Sequence, residues 1–488
     1  MTNHETLNKP PYGMIAILFV GAFVSFVNET FLNVALPSIM KDFEISPSSA
    51  QWLSTGYMLI NGILIPASAF LLQKFTNRQL YLTAMSLFTA GTVLASLSPT
   101  FGVLLVARMF QAAGSAIMAP LLMNVMLVAF PVERRGTAMG FFGLVMITAP
   151  AIGPTLSGWI VEHYSWRTLF DIVIPIAALT LILAIFKLKN ILPQKQISLD
   201  ILSLILSSIG FGGILYGFSS AGEKGWDSVH VYGTIIVGTI SLVLFIMRQL
   251  KMEEPLLQFR IYKYPMFALS SAISIILSMT MFSAMLLMPI YIQTIRGISP
   301  FDSGLLMLPG AIIMGIMSPI TGRLFDKFGA RALAIIGLSI TIFTTYEFSH
   351  LTMDTSYSFL MLMYSLRMLG MSMVMMPVMA NGINQLPQTM NPHATAMNNT
   401  LQQVSGAAGS ALLVTLMQNK AESEAERLAQ SAAGDPAKMA DIMNEAMLNG
   451  INFSFKISVL IALIALVLTF FIKRAKPEGE TFLKQSAS

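Results

Sequence analysis

Three ionisable residues lie inside stretches otherwise apolar enough to cross a bilayer: Glu29, Arg108 and Arg367. A charge at the centre of a membrane helix costs ~2.5 to 3.5 kcal/mol on insertion scales, so each is a functional candidate whose partner must be sought. Glu29 is flanked at spacings of four by Ser25 and Asn33, which predicts one polar helix stripe facing a wet cavity. A carboxyl group there can gain or lose a proton as solvent access changes or as a cation approaches. Two roles fit it: coupling of a proton or cation, and structural pairing with an arginine. Arg108 shares a face with Gln111 and Ser115. A guanidinium does not deprotonate in a protein, so Arg108 can bias a neighbouring carboxylate, hold an anion or form a fixed ion pair. Arg367 is open to the same roles or to a helix-packing hydrogen bond. Asp171 and Glu347 fall nearer the outer ends of apolar runs and read as solvated interfacial carboxylates or as residues of the outer mouth.

The elements that must position these residues are membrane helices. Of 488 residues 55% are hydrophobic and only 11% charged, whereas soluble domains carry about 25% charged residues. Apolar runs of spanning length fall at Met14–Leu36, Trp52–Leu72, Leu80–Leu97, Phe101–Val125, Gly136–Val161, Leu169–Phe186, Leu199–Ser219, Val229–Met247, Phe267–Ile292, Gly304–Leu324, Ala332–Phe348, Ser358–Ala380, Ala396–Met417 and Phe453–Ile472. The first is too long for a signal peptide and is kept as a span. With fourteen spans both termini share a side. Placing them inside assigns 19 Lys and Arg to inner segments and 8 to outer ones, an asymmetry that predicts cytoplasmic termini. The net charge of +5 is thereby explained without nucleic acid. No Cys is present and the five His are scattered, which excludes a thiolate metal site and a Cys nucleophile and disfavours a His-built metal centre; no cofactor is expected. No phosphate loop is found, which argues against ATP-driven work.

An internal repeat organises the spans. Ala69 to Arg78 follows the second run and Gly322 to Arg331 follows the tenth, with Leu, Lys, Phe and Arg in matching places; Arg108-Met-Phe and Arg367-Met-Leu sit inside the fourth and twelfth. The expected organisation is a six-helix half at 1–190, two inserted helices with linkers at 191–262, and a second six-helix half at 263–488. Such duplicated halves hold a site between them near the bilayer midplane. The longest outer loop, about 419–450, carries Met439, Ile442, Met443 and Ala446 at helical spacing after Pro436 and predicts a short helical hairpin over the outer mouth. Within the twelfth span five Met crowd between positions 371 and 379, Met371 and Met375 among them. Unbranched thioethers suit either an adaptable apolar pocket or ordinary packing.

Several motifs then align in order. They are Thr30 to Pro37; Arg108-x-x-Gln111 with Gly114; Ala149-Pro150-Ala-Ile-Gly153-Pro154-x-x-x-Gly158; Gly297 to Pro309; and Gly322 to Arg331. On fourteen spans this order resembles the major facilitator superfamily, and within it the drug:proton antiporters. The first motif is most similar to that of lincomycin-resistance-type multidrug exporters of Gram-positive bacteria. The resemblance implies a bacterial cytoplasmic-membrane exporter of small lipophilic compounds, driven by protons, working by alternating access and expected to be monomeric. It implies proton coupling at Arg108, which joins the Glu29 that the residues themselves single out; the substrate cavity is expected to include Ser25, Asn28, Asn33, Gln111, Ser115, Arg367, Met371 and Met375. It further implies a gating motif of Gly322, Asp326, Lys327, Gly329 and Arg331, and an antiporter helix of Pro150, Gly153, Pro154 and Gly158, where close helix contact and kinking are expected. In the gating motif Asp326 with Lys327 and Arg331 reads as a charge latch or as a tight turn with topogenic charges.

This sequence departs from the family at three places. The usual first-span Asp is Asn28, with the acid one residue on at Glu29, about 100° around a helix. The first loop copy has Ala69 and Gln73 where the second keeps Gly322 and Asp326, and Ser157-Gly158 replaces a double Gly. A dedicated exporter of one metabolite, lipid or fatty acid is the alternative within transport. A membrane-embedded enzyme would need a cluster such as His with Asp at inner helix ends, which is not found.

Overall fold

The computed structural model describes residues 11–45, 47–131, 134–192, 194, 200–253, 255–431 and 436–474; the residues singled out above whose side chains lie outside the described ones include Asn33, Pro150, Pro154, Pro436 and Met439. Among the described residues the regular structure is entirely helical: α1 (Tyr12–Phe43), α2 (Pro47–Lys74), α3 (Asn77–Ser96), α4 (Phe101–Ala129), α5 (Arg135–His163), α6 (Thr168–Lys187), α7 (Ile201–Lys224), α8 (Val229–Lys251), α9 (Pro265–Ile290), α10 (Pro300–Phe328), α11 (Ala330–Phe348), α12 (Tyr357–Ser372), α13 (Met375–Asn384), α14 (Asn391–Ser431) and α15 (Pro436–Thr469). Helices are the natural outcome, because a backbone in hydrocarbon must satisfy its N–H and C=O groups within its own segment.

Local chemistry sets the helix ends. Thr76 and Gln79 form a reciprocal capping box at the start of α3. Ser299 caps α10, with Pro300 at its first turn. Gly329, at φ 79°, turns α10 directly into α11, a backbone conformation that side-chain-bearing residues rarely adopt.

Each apolar run of the sequence falls on a helix, with two differences. The twelfth run is divided between α12 and α13, broken at Met373–Val374. The outer hairpin is made by lengthening its neighbours rather than by a separate element: α14 continues to Ser431 and α15 starts at Pro436. Residues 418–431 contain neither Gly nor Pro and are rich in Ala and Glu, so nothing stops the helix. Ten helices among the described residues are long and apolar enough to cross a membrane, or up to eleven if the bent pair Trp52–Leu64 and Ala67–Lys74 counts as one span. The polar α14, with Asn398, Asn399, Gln402 and Gln403, is not among them.

In the first part of the chain α1 packs on α4, α5 and α6, and α3 on α4 and α6; in the last, α9 packs on α13, α14 and α15, and α11 on α12 and α15. Two seams join these groups, α5 with α10 and α2 with α14. The pair α7–α8 is tight because Gly210, Gly213 and Gly238 face one another across it. Arg248 clamps its end by bonding both carboxylate oxygens of Asp200, Nε to Oδ2 at 2.7 Å and Nη2 to Oδ1 at 3.1 Å. That pairing holds the Asp200 carboxyl down at about 2. α7 in turn lies against both α2 and α14, covering the second seam.

Candidate functional site

The site is built where α1, α2 and α4 meet. Arg108 and Gln111 project from α4, one turn apart, and both are fully buried. Arg108 Nη1 donates to Asn28 Oδ1 at 2.9 Å, to the Asn28 carbonyl at 3.4 Å and to Gln111 Oε1 at 2.9 Å. Gln111 Nε2 passes the chain on to Thr92 Oγ1 of α3 at 2.9 Å. The guanidinium also lies over the Tyr57 ring of α2, 4.3 Å from its centroid, an arrangement that stabilises a desolvated cation by about 2 kcal/mol. One turn along, Ser25 Oγ donates to Ser115 Oγ at 2.6 Å. Ser25, Asn28, Arg108, Gln111 and Ser115 are therefore one polar layer between α1 and α4.

Asn28, not Glu29, fills the place facing Arg108. Glu29 forms no hydrogen bond or ion pair among the described residues, yet it lies close enough to Arg108 and Tyr57 to interact electrostatically with both. The α5-facing side of α1 is taken by its next two residues. A side chain at Gly153 would strike Thr30, and Ser157 Oγ donates to the Phe31 carbonyl at 2.6 Å. Glu29 is thus left between the α4 and α5 contacts, within electrostatic reach of the buried Arg108 but not bonded to it. α5 runs unbroken past positions 150 and 154, and Gly158 is half-buried.

Arg367 of α12 is equally buried but differently served. Nη2 donates to the Thr280 carbonyl at 3.1 Å and Nε to Thr345 Oγ1 at 3.4 Å, and buried Nη1 has no partner among the described residues. It touches neither Arg108 nor its layer. Met371 is buried and Met375 half-buried at the α12–α13 break; in the same methionine cluster Met373 packs on Gly337 and Met376 on Gly143 of α5. Asp171 accepts from Ser96 Oγ at 2.5 Å, far along the chain from the buried layer.

The loop motif does something its sequence did not reveal. Asp326 makes no ion pair with Lys327 or Arg331. Its Oδ1 accepts from the Gly136 N–H at 3.1 Å, and its Oδ2 accepts from the Thr137 N–H at 3.1 Å and from Thr137 Oγ1 at 2.8 Å. The start of α5 has no side-chain cap of its own, so Asp326 supplies one from α10, placing a negative charge where the α5 backbone donors and dipole favour it. Gly322 and Gly136 permit this approach, since a Cβ on Gly136 would meet the Gly322 carbonyl at 2.7 Å. Ser318 Oγ adds a bond to the Gly140 carbonyl at 2.8 Å, and Arg474 Nη2 one to the Asp326 carbonyl at 2.7 Å. Gln73, at the matching place in the first copy, lies 3.1 Å from His393 Nε2 of α14. Asn124 Nδ2 of α4 donates to Thr395 Oγ1 at 2.7 Å. Both seams are thus closed at the end that carries the loop motifs. Tyr57, Thr92, Thr137 and His393 were not legible as site residues in the sequence; the unsatisfied N–H groups after Arg135 were the one available signal for Thr137.

Residues 18–410 match the family model of the Major Facilitator Superfamily. The chain belongs to that superfamily. It is 47% identical over 480 residues to the MFS-type transporter YcnB of Bacillus subtilis, covering 98% of this chain and 99% of that one. It is 43% identical over 465 residues to the lincomycin resistance protein LmrB of the same organism, covering 95% and 96%. The human organic anion transporter MFSD10 (TETRAN) has the same fold, with a TM-score of 0.65 at 12% identity, covering 95% of this chain and 100% of that one. The chain is accordingly a multi-pass membrane transporter and not an enzyme, with antibiotic-resistance proteins among its relatives.

Proposed function

We propose that this superfamily member is a proton-coupled exporter of lipophilic compounds, working by alternating access in a bacterial cytoplasmic membrane. The carrying observation is Glu29, a carboxyl group with no hydrogen bond or ion pair among the described residues but within electrostatic reach of Arg108, one residue beyond the Asn28 that engages that arginine. Protonation of Glu29 removes its attraction to Arg108, and deprotonation restores it, so proton occupancy and the α1–α4 contact are linked. A cationic or polar substrate group entering beside Glu29 competes with the proton, which is the exchange an antiporter needs.

In this reading the chain crosses fourteen times with both termini in the cytoplasm. Residues 1–190 and 263–488 are the rocking halves, and 191–262 carry the inserted pair. Asp326 on the α5 N-terminus is the cytoplasmic gate: the closed seams at that end describe the inward-closed state, and substrate loading from inside requires Asp326 to leave Gly136 and Thr137. Ser25, Gln111, Ser115 and the Met371–Met375 region line the route, and one copy of the chain suffices. The relationship to LmrB at 43% identity supports compounds of the antibiotic type as cargo.

The deciding measurement is uptake into inverted proteoliposomes under an imposed pH gradient, with cationic, neutral and anionic lipophilic compounds offered in turn. Accumulation that follows the gradient and collapses with a protonophore is expected; accumulation indifferent to the gradient would end the proposal.

A further inference from the structure

At the end opposite the loop motifs, a cavity of about 370 Å³ lies between residues 349–351, which directly follow α11, and facing stretches of α14 and α15. It is lined by His350, Lys420, Glu424, Arg427, Asn452 and Lys456 among others. Glu424 is shared by two of the cations, with Lys420 Nζ at 2.8 Å and Arg427 Nη2 at 2.7 Å. Lys456 has no ion-pair partner among the described residues. The cavity therefore carries an excess of two positive charges with His350 neutral. Its walls are fixed: Asn452 bonds both the Leu351 N–H, at 3.1 Å, and the Leu351 carbonyl, at 2.9 Å, tying α15 to the end of α11.

We propose that this cavity is a binding site for a phosphate-bearing anion. Lys456 supplies the free cation, and the Lys420–Glu424–Arg427 group presents the remaining donors. Two flanking apolar surfaces leave room for the chains of an amphiphilic ligand. Leu460, Ile464 and Val467 follow Lys456 down one face of α15 and are 58%, 57% and 58% exposed; on α11, Phe343 and Tyr346 precede His350 and are 54% and 52% exposed. A phosphate seated in the cavity would leave its acyl chains along these stripes, with Lys456 at the apolar–polar boundary where a lysine extends toward phosphate. The charge chemistry is shared with free phosphate, so the source is decided by experiment.

The full-length protein, freed of lipid in a neutral detergent, would be titrated with short-chain phosphatidylglycerol, short-chain phosphatidylcholine and inorganic phosphate, following the unfolding midpoint. Saturable stabilisation by phosphatidylglycerol but not phosphatidylcholine is expected. Lys456→Gln should raise the half-saturating concentration about tenfold, since a charge-assisted contact is lost. Glu424→Gln, by removing the one negative charge, should lower it, a direction that a merely structural role for Glu424 does not produce. If Lys456→Gln does not fold, Arg427→Gln, whose side chain is 70% exposed, carries the same expectation. The same pattern with inorganic phosphate alone keeps the site and assigns it to the free anion. No saturable effect from either phosphate compound, or effects equal in wild type and both charge variants, overturns it.

Discussion

The two repeat-related parts of the chain keep their carboxylates in opposite places. In the first, the acid is at the buried arginine: Glu29 stands beside Arg108, while the loop copy ends in neutral Gln73 against His393. In the last, the acid is in the loop: Asp326 caps α5, while Arg367 is served only by a threonine hydroxyl and a carbonyl, with one buried nitrogen unpartnered among the described residues. Both arginines are buried in apolar surroundings, but among the described residues only Arg108 has a carboxyl group within electrostatic reach, Arg367 having the Tyr364 phenol instead. We read this as a division of labour, with proton chemistry in the first half and gating in the second, joined through α5, which touches both Thr30 beside Glu29 and Asp326.

The largest effect that can break this comparison is expected from Glu29→Gln. It keeps size and hydrogen bonding but removes titration, so accumulation against a gradient should fall to background while downhill exchange persists. The double variant Asn28→Asp with Glu29→Gln moves the carboxylate onto Arg108 itself. Partial recovery would place both positions in one cavity, whereas normal uphill transport by Glu29→Gln alone would make the carboxyl structural.

Next in size is Asp326→Asn. A charge-assisted bond contributes ~1.5 to 3 kcal/mol, so weakening the α5 cap should lower turnover about tenfold or more. Substrate affinity should stay near wild type, because the cap lies outside the polar layer. Equal losses of binding and turnover, measured side by side in proteoliposomes and by equilibrium binding, would contradict the gate assignment.

Smaller again is the pair Arg108→Lys and Arg367→Lys. Lysine keeps the charge but loses the planar stacking on Tyr57 and the shared bonds to Asn28 and Gln111, about 2 kcal/mol of stabilisation. Arg108→Lys should therefore reduce gradient-driven efflux by up to about thirtyfold, with a shifted pH profile. Arg367→Lys should slow transport less and leave the pH profile in place. Identical pH profiles for the two variants would erase the distinction between the halves. The smallest effect is expected from Gln73→Ala. A neutral contact contributes ~0.5 to 1.5 kcal/mol, so turnover should change by no more than about tenfold and by less than in Asp326→Asn.

Hydropathy and composition alone determined that the chain is helical and membrane-embedded, because burial in hydrocarbon leaves an apolar signal in every span regardless of neighbours. The buried arginines and Glu29 were equally legible, since a charge within an apolar run stands out against its local cost. The pairing of those groups was not. Asn28 and Glu29 are adjacent in sequence, and only the packing of α1 between α4 and α5 decides which one meets Arg108. Likewise, Asp326 followed by Lys327 suggested a local charge latch, but the shorter route to satisfaction runs to the bare N–H groups of α5, 190 and 189 residues away. The continuation of α14 to Ser431 and the start of α15 at Pro436, and the cationic cavity lined by these helices and the end of α11, belong to the same class. Periodicity reports which face of a helix avoids water; only the folded arrangement brings distant polar groups within the 3 Å at which a hydrogen bond forms.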